Sequence, residues 1–313
     1  MKQYLLQLML AKGIGDAAIK RILHYASQNP KYTLKYLCEN LNETGRIFNL
    51  KGATLDSISL NNEYAQKLVS ELEKHEIEII TEIDNRYPKQ LKESLGAQCP
   101  PVLFAQGNLA LLLTKAVGFC GSRKVSPKGI GITEQCAQQL VQKGVTVVSG
   151  YASGTDIAAH SSAMNNGGNT IFVLAEGILR FSKKQAVRNL LTPQNHLYVS
   201  QFLPEAMWNA GNAMKRNAII IGLSKAMILV ESGKTGGTFA AGEETLSRNL
   251  PLFVIDYAHP EVSAEANPYF ISRGGMPIRG TKGVPNLEKV LSVVNSAAYT
   301  PGSYEQLSIN FNV

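Results

Sequence analysis

The sequence predicts an α/β fold: a parallel sheet covered by helices on both faces, preceded by a small helical N-terminal domain. Two patterns predict it. Up to about residue 75, apolar residues recur at helical spacing, as in Ala17, Ala18, Ile19, Ile22 and Leu23. From residue 116 onward, short and continuously apolar runs alternate with helical stretches. That alternation marks parallel strands buried on both faces.

In chain order, Leu5, Leu6, Leu8, Met9 and Leu10 run into Lys12-Gly13-Ile14-Gly15-Asp16, so two helices joined at Gly-Ile-Gly form a helix–hairpin–helix pattern. Glycines there let backbone amides approach a phosphate, but a tight turn between packed helices explains the same residues equally well. Residues 77–108 form a bridge. Glu76–Ile80 alternates like a strand, and turn prolines at Pro88, Pro100 and Pro101 precede another short strand at Val102–Phe104. Further strands are expected at Ala116–Cys120, Val145–Ser149, Thr170–Ala175, Leu197–Phe202, Ala226–Glu231 and Leu252–Ile255. Helices are expected around 128–143, 156–165, 185–191, 212–222 and 238–248. The expected division is a helical domain over 1–75, the α/β domain over 76–298 and a polar tail over 299–313.

Formal net charge is +7, and it is uneven: residues 1–110 carry 13 Lys and Arg against 12 Asp and Glu, residues 111–313 carry 18 against 12. The basic surplus sits in the α/β part and fits a polyanionic partner. Cys38, Cys99, Cys120 and Cys136 form no CxxC pair and no zinc spacing, so they read as reduced, buried thiols and no metal is expected. The N-terminal apolar run reads as a helix rather than a signal peptide, and no run of about 18 apolar residues exists. The expectation is a cytoplasmic protein with no membrane contact.

Right-handed crossovers place the loops that follow parallel strands along one edge, where a ligand binds. Four segments expected there carry unusual residues. Gly121-Ser122-Arg123-Lys124 supplies a tight turn, a hydroxyl and a guanidinium that can fork onto a phosphate ahead of a helix start. It lacks GxGxxG, so no dinucleotide cofactor is read. Ser149-Gly150-Tyr151-Ala152-Ser153-Gly154-Thr155-Asp156 opens a helix on which Asp156 and His160 share a face. Without a third ligand that pair reads as structural rather than catalytic. Lys215-Arg216-Asn217, placed at a strand–helix junction ahead of Ala218, suits phosphate and base-edge contacts. Gly233-Lys234-Thr235 lacks the Walker A spacing, since Ile228 stands five residues before Gly233, but Gly236-Gly237-Thr238 can present amides to an anion. No catalytic set and no cofactor are expected.

In this order the segments resemble the DNA-processing protein A (DprA/Smf) family. The likeness runs through Tyr87-Pro88, Pro100-Pro101-Val102-Leu103-Phe104, Gly121-Ser122-Arg123, Val147-Val148-Ser149-Gly150, Gly154, Asp156, Ala158-Ala159-His160, Gly167-Gly168-Asn169-Thr170, Arg216-Asn217, Gly222-Leu223-Ser224 and Val230-Glu231. The resemblance implies an extended Rossmann-like fold with a helical N-terminal domain. It also implies single-stranded DNA in a basic pocket, a homodimer, and a RecA-type recombinase as partner during natural transformation. Ser153 and Lys215 stand where the family usually has arginine. A second reading is a nucleotide-derivative sensor or a phosphoribohydrolase-like enzyme on the same fold. Such enzymes carry a catalytic Glu soon after a Gly-Gly-x-Gly-Thr turn, whereas here Phe239-Ala240-Ala241-Gly242 follows Thr238 and Glu243 is offset.

Overall fold

A computed structural model describes residues 1–281 and 283–296. The expected polar tail at 299–313 lies outside the described residues. Six helices come first: α1 (Lys2–Leu10), α2 (Asp16–Gln28), α3 (Leu34–Glu39), α4 (Leu41–Phe48), α5 (Gly52–Leu60) and α6 (Asn62–Lys74). The Gly-Ile-Gly turn between α1 and α2 packs on α5: Lys12 donates its amide to Ser57 Oγ at 2.8 Å, and Ile14 is buried.

The sheet strands are β1 (Ile77–Thr81), β2 (Val102–Gly107), β3 (Ala116–Cys120), β4 (Thr146–Ser149), β5 (Thr170–Val173), β6 (His196–Ser200), β7 (Ala226–Leu229), β8 (Leu252–Ile255) and β9 (Met276–Ile278). Their order is β1-β2-β6-β5-β4-β3-β7-β8-β9. All pairs from β6 to β9 are parallel, while β2 joins β6, and β1 joins β2, antiparallel. The parallel sheet read from the sequence is therefore present, with an antiparallel edge added. A small ribbon, β10 (Gly280–Thr281) with β11 (Val284–Pro285), lies outside the sheet.

Helices between the strands are α7 (Lys89–Leu95), α8 (Pro127–Val141), α9 (Thr155–Asn165), α10 (Gln185–Arg188), α11 (Ala210–Leu223), α12 (Gly237–Ser247), α13 (Asn267–Ser272) and α14 (Glu288–Asn295). One face of the sheet buries Val148, Ile171 and Leu229 against Leu91 of α7, Ile219 of α11, Ala241 of α12 and Phe270 of α13. The other buries Val117, Val147 and Ile228 against Leu140 of α8, Ala159 of α9 and Val290 of α14. Toward the antiparallel edge that second face meets the first six helices: Ile79, Phe104 and Tyr198 share a core with Leu6, Ile22, Leu37 and Leu72. The helical segment is thus packed on the sheet rather than tethered beside it. Among the described residues, no helix is long and apolar enough to cross a membrane. All four cysteines are free and buried, and burial pushes the thiols of Cys38, Cys120 and Cys136 up to about 12.

Candidate nucleic-acid interface

Strand order decides where the loops meet. β4, β5 and β6 lie to one side of β3, and β7, β8 and β9 to the other. Chain direction across the sheet reverses at β3, and a crevice opens at such a point beyond the carboxyl ends of the strands. The loops after β3, β4 and β7 line it, with α11 as its wall.

The first two loops interlock. Gly154 has φ +78°, and a Cβ there would fall 2.5 Å from the Ser122 carbonyl oxygen. Thr155 donates its amide and Oγ1 to that same carbonyl, at 3.3 and 3.2 Å. Asp156, in the first turn of α9, accepts from Ser149 Oγ at 2.7 Å and from the Ala152 amide at 3.0 Å. His160 does not bond Asp156. Its Nε2 donates to the Gly150 carbonyl at 2.7 Å, and Nδ1 faces Thr170 Oγ1 at 2.6 Å. Burial is the main cause that pulls the imidazole down to about 4, so it is neutral and structural. Asp156 and His160 thus hold the loop through separate bonds, one to Ser149 and Ala152 and the other to Gly150.

The resulting cleft holds about 370 Å³, lined by Ser122, Arg123, Asp156, Arg216, Asn217 and Thr238 together with Gly121 and Gly237. Arg216 is its unusual feature. The residue is 7% exposed, and its Nη1 donates to the Val173 carbonyl at 2.9 Å. Nε has no partner, and the guanidinium forms no ion pair among the described residues. It lies close against Gly150, where a Cβ would sit 1.6 Å from Nη1. Burial lowers its pKa, Asp156 and Glu176 oppose that, and Arg123 adds to it. Gly236, at φ +95°, caps α12 without any side-chain bond to the helix's first amides, and Asn217 Nδ2 ties the Gly237 carbonyl to α11 at 3.3 Å.

The structure corrects one placement. Lys215-Arg216-Asn217 is not at a strand–helix junction but in the second turn of α11, whose start is capped by Asn209 accepting from the Asn212 amide at 2.7 Å. Successive helical residues diverge by about 100°. Ala213, Arg216, Asn217 and Ile220 therefore share the face toward the cleft, while Lys215 is exposed and does not line it. Lys124, Ser149, Gly150, Gly154 and Gly236 do not line the cleft either; Ser149, Gly150 and Gly154 shape its loops, and Lys124 is exposed.

A second cleft of about 340 Å³ shares Arg123 and Arg216 and continues past Ser153 to Tyr151, Glu176, Lys184 and Trp208. Tyr151 belongs to a loop singled out in the sequence, whereas Glu176, Lys184 and Trp208 lie in segments that were not. Lys184 sits 4.7 Å over the Tyr151 ring and donates Nζ to the Tyr151 carbonyl; burial lowers its pKa, and Asp156 and Glu176 oppose this. The Arg123 guanidinium lies 5.9 Å from the Trp208 ring. Among the described residues, no group of three His, Cys, Asp or Glu stands close enough to hold a metal ion.

Residues 62–285 match the family described as DNA recombination-mediator protein A. DNA processing protein DprA of Streptococcus pneumoniae is 34% identical over 174 residues, 55% of this chain and 61% of that protein. DprA of Bacillus subtilis is 28% identical over 54% of this chain and 57% of its own length. These matches span less than two thirds of either relative. Among solved structures, that of the Streptococcus pneumoniae protein superposes with a TM-score of 0.71 at 24% identity, covering 91% of this chain and 97% of that one. DNA processing protein A from Helicobacter pylori, described for its single-stranded DNA binding mode, gives 0.55 at 23% identity, covering 70% and 94%. A family match over most of the chain, together with this shared fold, establishes that the chain belongs to the DNA recombination-mediator protein A family.

Proposed function

We propose that this chain binds single-stranded DNA in DNA processing, with backbone phosphates held in the cleft by Arg216 and Arg123, the Ser122 hydroxyl and the first amides of α12. The observation that carries the reading is the buried, unpaired guanidinium of Arg216. A buried cation whose neighbouring carboxylates, Asp156 and Glu176, form no ion pair with it is only partly compensated, and an anion entering the cleft relieves the remaining cost. Two helix starts and a glycine turn around the same cleft add partial positive charge. The single-stranded DNA binding mode described for the Helicobacter pylori protein supports the choice of anion.

The reading is of a binding protein rather than an enzyme, since the Asp156 and His160 side chains are engaged in holding the loop. Family membership supports a homodimer that hands its strand to a RecA-type recombinase in the cytoplasm. The test is fluorescence anisotropy of a labelled oligo-dT and a matching duplex at two salt concentrations. The expected result is preferential binding of the single strand, weakened by salt as released counterions compete. Binding of neither, with a heat-shift response to free nucleotides instead, would replace this reading with a nucleotide sensor.

A further inference from the structure

Lys184 stands between β5 and β6, just ahead of α10, yet it lines the second cleft together with Arg123 and Arg216. Burial disfavours its charge there, and the two guanidinium groups disfavour it further; Asp156 and Glu176 attract it from a distance. Among the described residues, the ammonium makes one hydrogen bond, to the Tyr151 carbonyl. A lysine stem left free turns its strongly hydrated charge out to water. The surrounding charges therefore do not account for where this ammonium sits.

Tyr151 accounts for it. Nζ lies over the tyrosine ring, 4.7 Å from its centroid, where the ring face attracts a cation. The Tyr151 hydroxyl accepts from the Lys184 amide at 2.6 Å, and the Tyr151 carbonyl accepts from Nζ. The two residues thus run head to tail: the tip of the tyrosine holds the lysine backbone, and the tyrosine backbone holds the tip of the lysine. The ring is itself fixed edge-on among Phe172, Phe181 and Tyr198, with centroids 5.4, 6.1 and 5.9 Å away. An ammonium has three donors, so two remain for a ligand. Tyr151 also follows Gly150, whose missing side chain makes room for Arg216. Successive residues of one loop therefore seat two cations of the cleft.

We propose that Tyr151 is a positioning residue for strand binding: it holds the Lys184 ammonium in the second cleft, set in advance to meet a phosphate of the bound strand. Ordering the lysine before binding removes a cost that a free side chain would meet on binding. This rests on the reading that the chain binds single-stranded DNA, and the experiment separates the two. Labelled oligo-dT is titrated by anisotropy, over a range of salt, with the full chain, with Tyr151→Leu, Tyr151→Phe and Lys184→Met, and with each Tyr151 variant combined with Lys184→Met. Thermal melting reports folding in each. Tyr151→Phe keeps the ring and its packing and removes only the hydroxyl, so it decides the matter should Tyr151→Leu fold poorly.

Lys184→Met should weaken binding about tenfold at low salt, the loss of one charge-assisted contact. The slope of log affinity against log salt should fall in magnitude by about 0.7. Tyr151→Leu should do the same, because the ammonium then leaves the phosphate path, and Tyr151→Phe should lose about threefold. Each double variant should bind within about twofold of Lys184→Met alone, since the tyrosine then has nothing to position. If the losses multiply in the double variants, or if Tyr151→Leu weakens binding with the salt slope unchanged, Tyr151 shapes the loop or touches the strand itself and the positioning role is wrong. Full binding by Lys184→Met, or by both Tyr151 variants, overturns it as well. In each of these cases the unaltered chain still binds and the DNA-binding reading stands. If no strand binds the unaltered chain, that reading falls and the positioning role with it.

Discussion

His160 gives the sharpest quantitative test of how the binding loop is held. The imidazole is fully buried, its Nε2 supports the Gly150 carbonyl, and its pKa is pulled from 6.5 to about 4, chiefly by burial. Asp156 and the Gly150 bond oppose that shift, while Arg216 and Lys184 add to it. With the folded pKa below the unfolded one, the unfolded chain takes up the proton first as pH falls. The contribution is therefore fully present above about 6.5 and is lost progressively down to about 4. A full shift of that size corresponds to about 3 kcal/mol, and the part lost between pH 7 and pH 5 is about 2 kcal/mol. Urea unfolding of the unaltered chain and of His160→Gln, at pH 7 and pH 5, isolates it. Carboxylates such as Asp84 and Glu43, whose pKa values are lowered by their own partners, contribute equally to both proteins and cancel in the difference. His160→Gln should be less stable at pH 7 and should lack about 2 kcal/mol of the acid-induced loss. Equal losses in the two proteins would refute the account of a neutral histidine locking the loop.

Gly150→Ala should lower oligo-dT affinity at least tenfold in anisotropy and cost about 1–3 kcal/mol of stability, since the new Cβ would meet Arg216 Nη1 at 1.6 Å. Arg216→Met should abolish strand binding with little change in melting temperature, because the buried guanidinium forms no ion pair among the described residues and Asp156 and Glu176 only partly offset its burial. A lowered melting point would mean the guanidinium stabilises the fold. Lys215→Ala should change affinity less than twofold, as the side chain lies off the cleft face of α11; a larger loss would place phosphate on the outer side of that helix. The slope of log affinity against log salt should fall in magnitude by about 0.7 in Arg123→Ala, the increment for one phosphate contact on a single strand.

Strands β3 to β8 were legible because both of their faces are covered. Such strands read as unbroken apolar runs, and their positions from Ala116 to Ile255 agree with the sequence reading to within a few residues. Other elements carried weaker marks. β9 is three residues long with Pro277 at its centre, on the sheet's last strand, where a proline removes no needed hydrogen bond. α13 spans only six residues, Asn267–Ser272, too few for a helical period to stand out. Lys215 and Arg216 show the opposite failure: adjacency in sequence suggested a joint role, but the helix turns one of them away.

The cleft was legible in part because each loop residue follows a strand whose position could be read. The second cleft was not, because its walls come from places with no such mark. Glu176 and Lys184 lie between β5 and β6, and Trp208 between β6 and α11; they meet Arg123 only because β5 and β6 stack beside β4 on one side of β3. That lateral order has no signature in local periodicity.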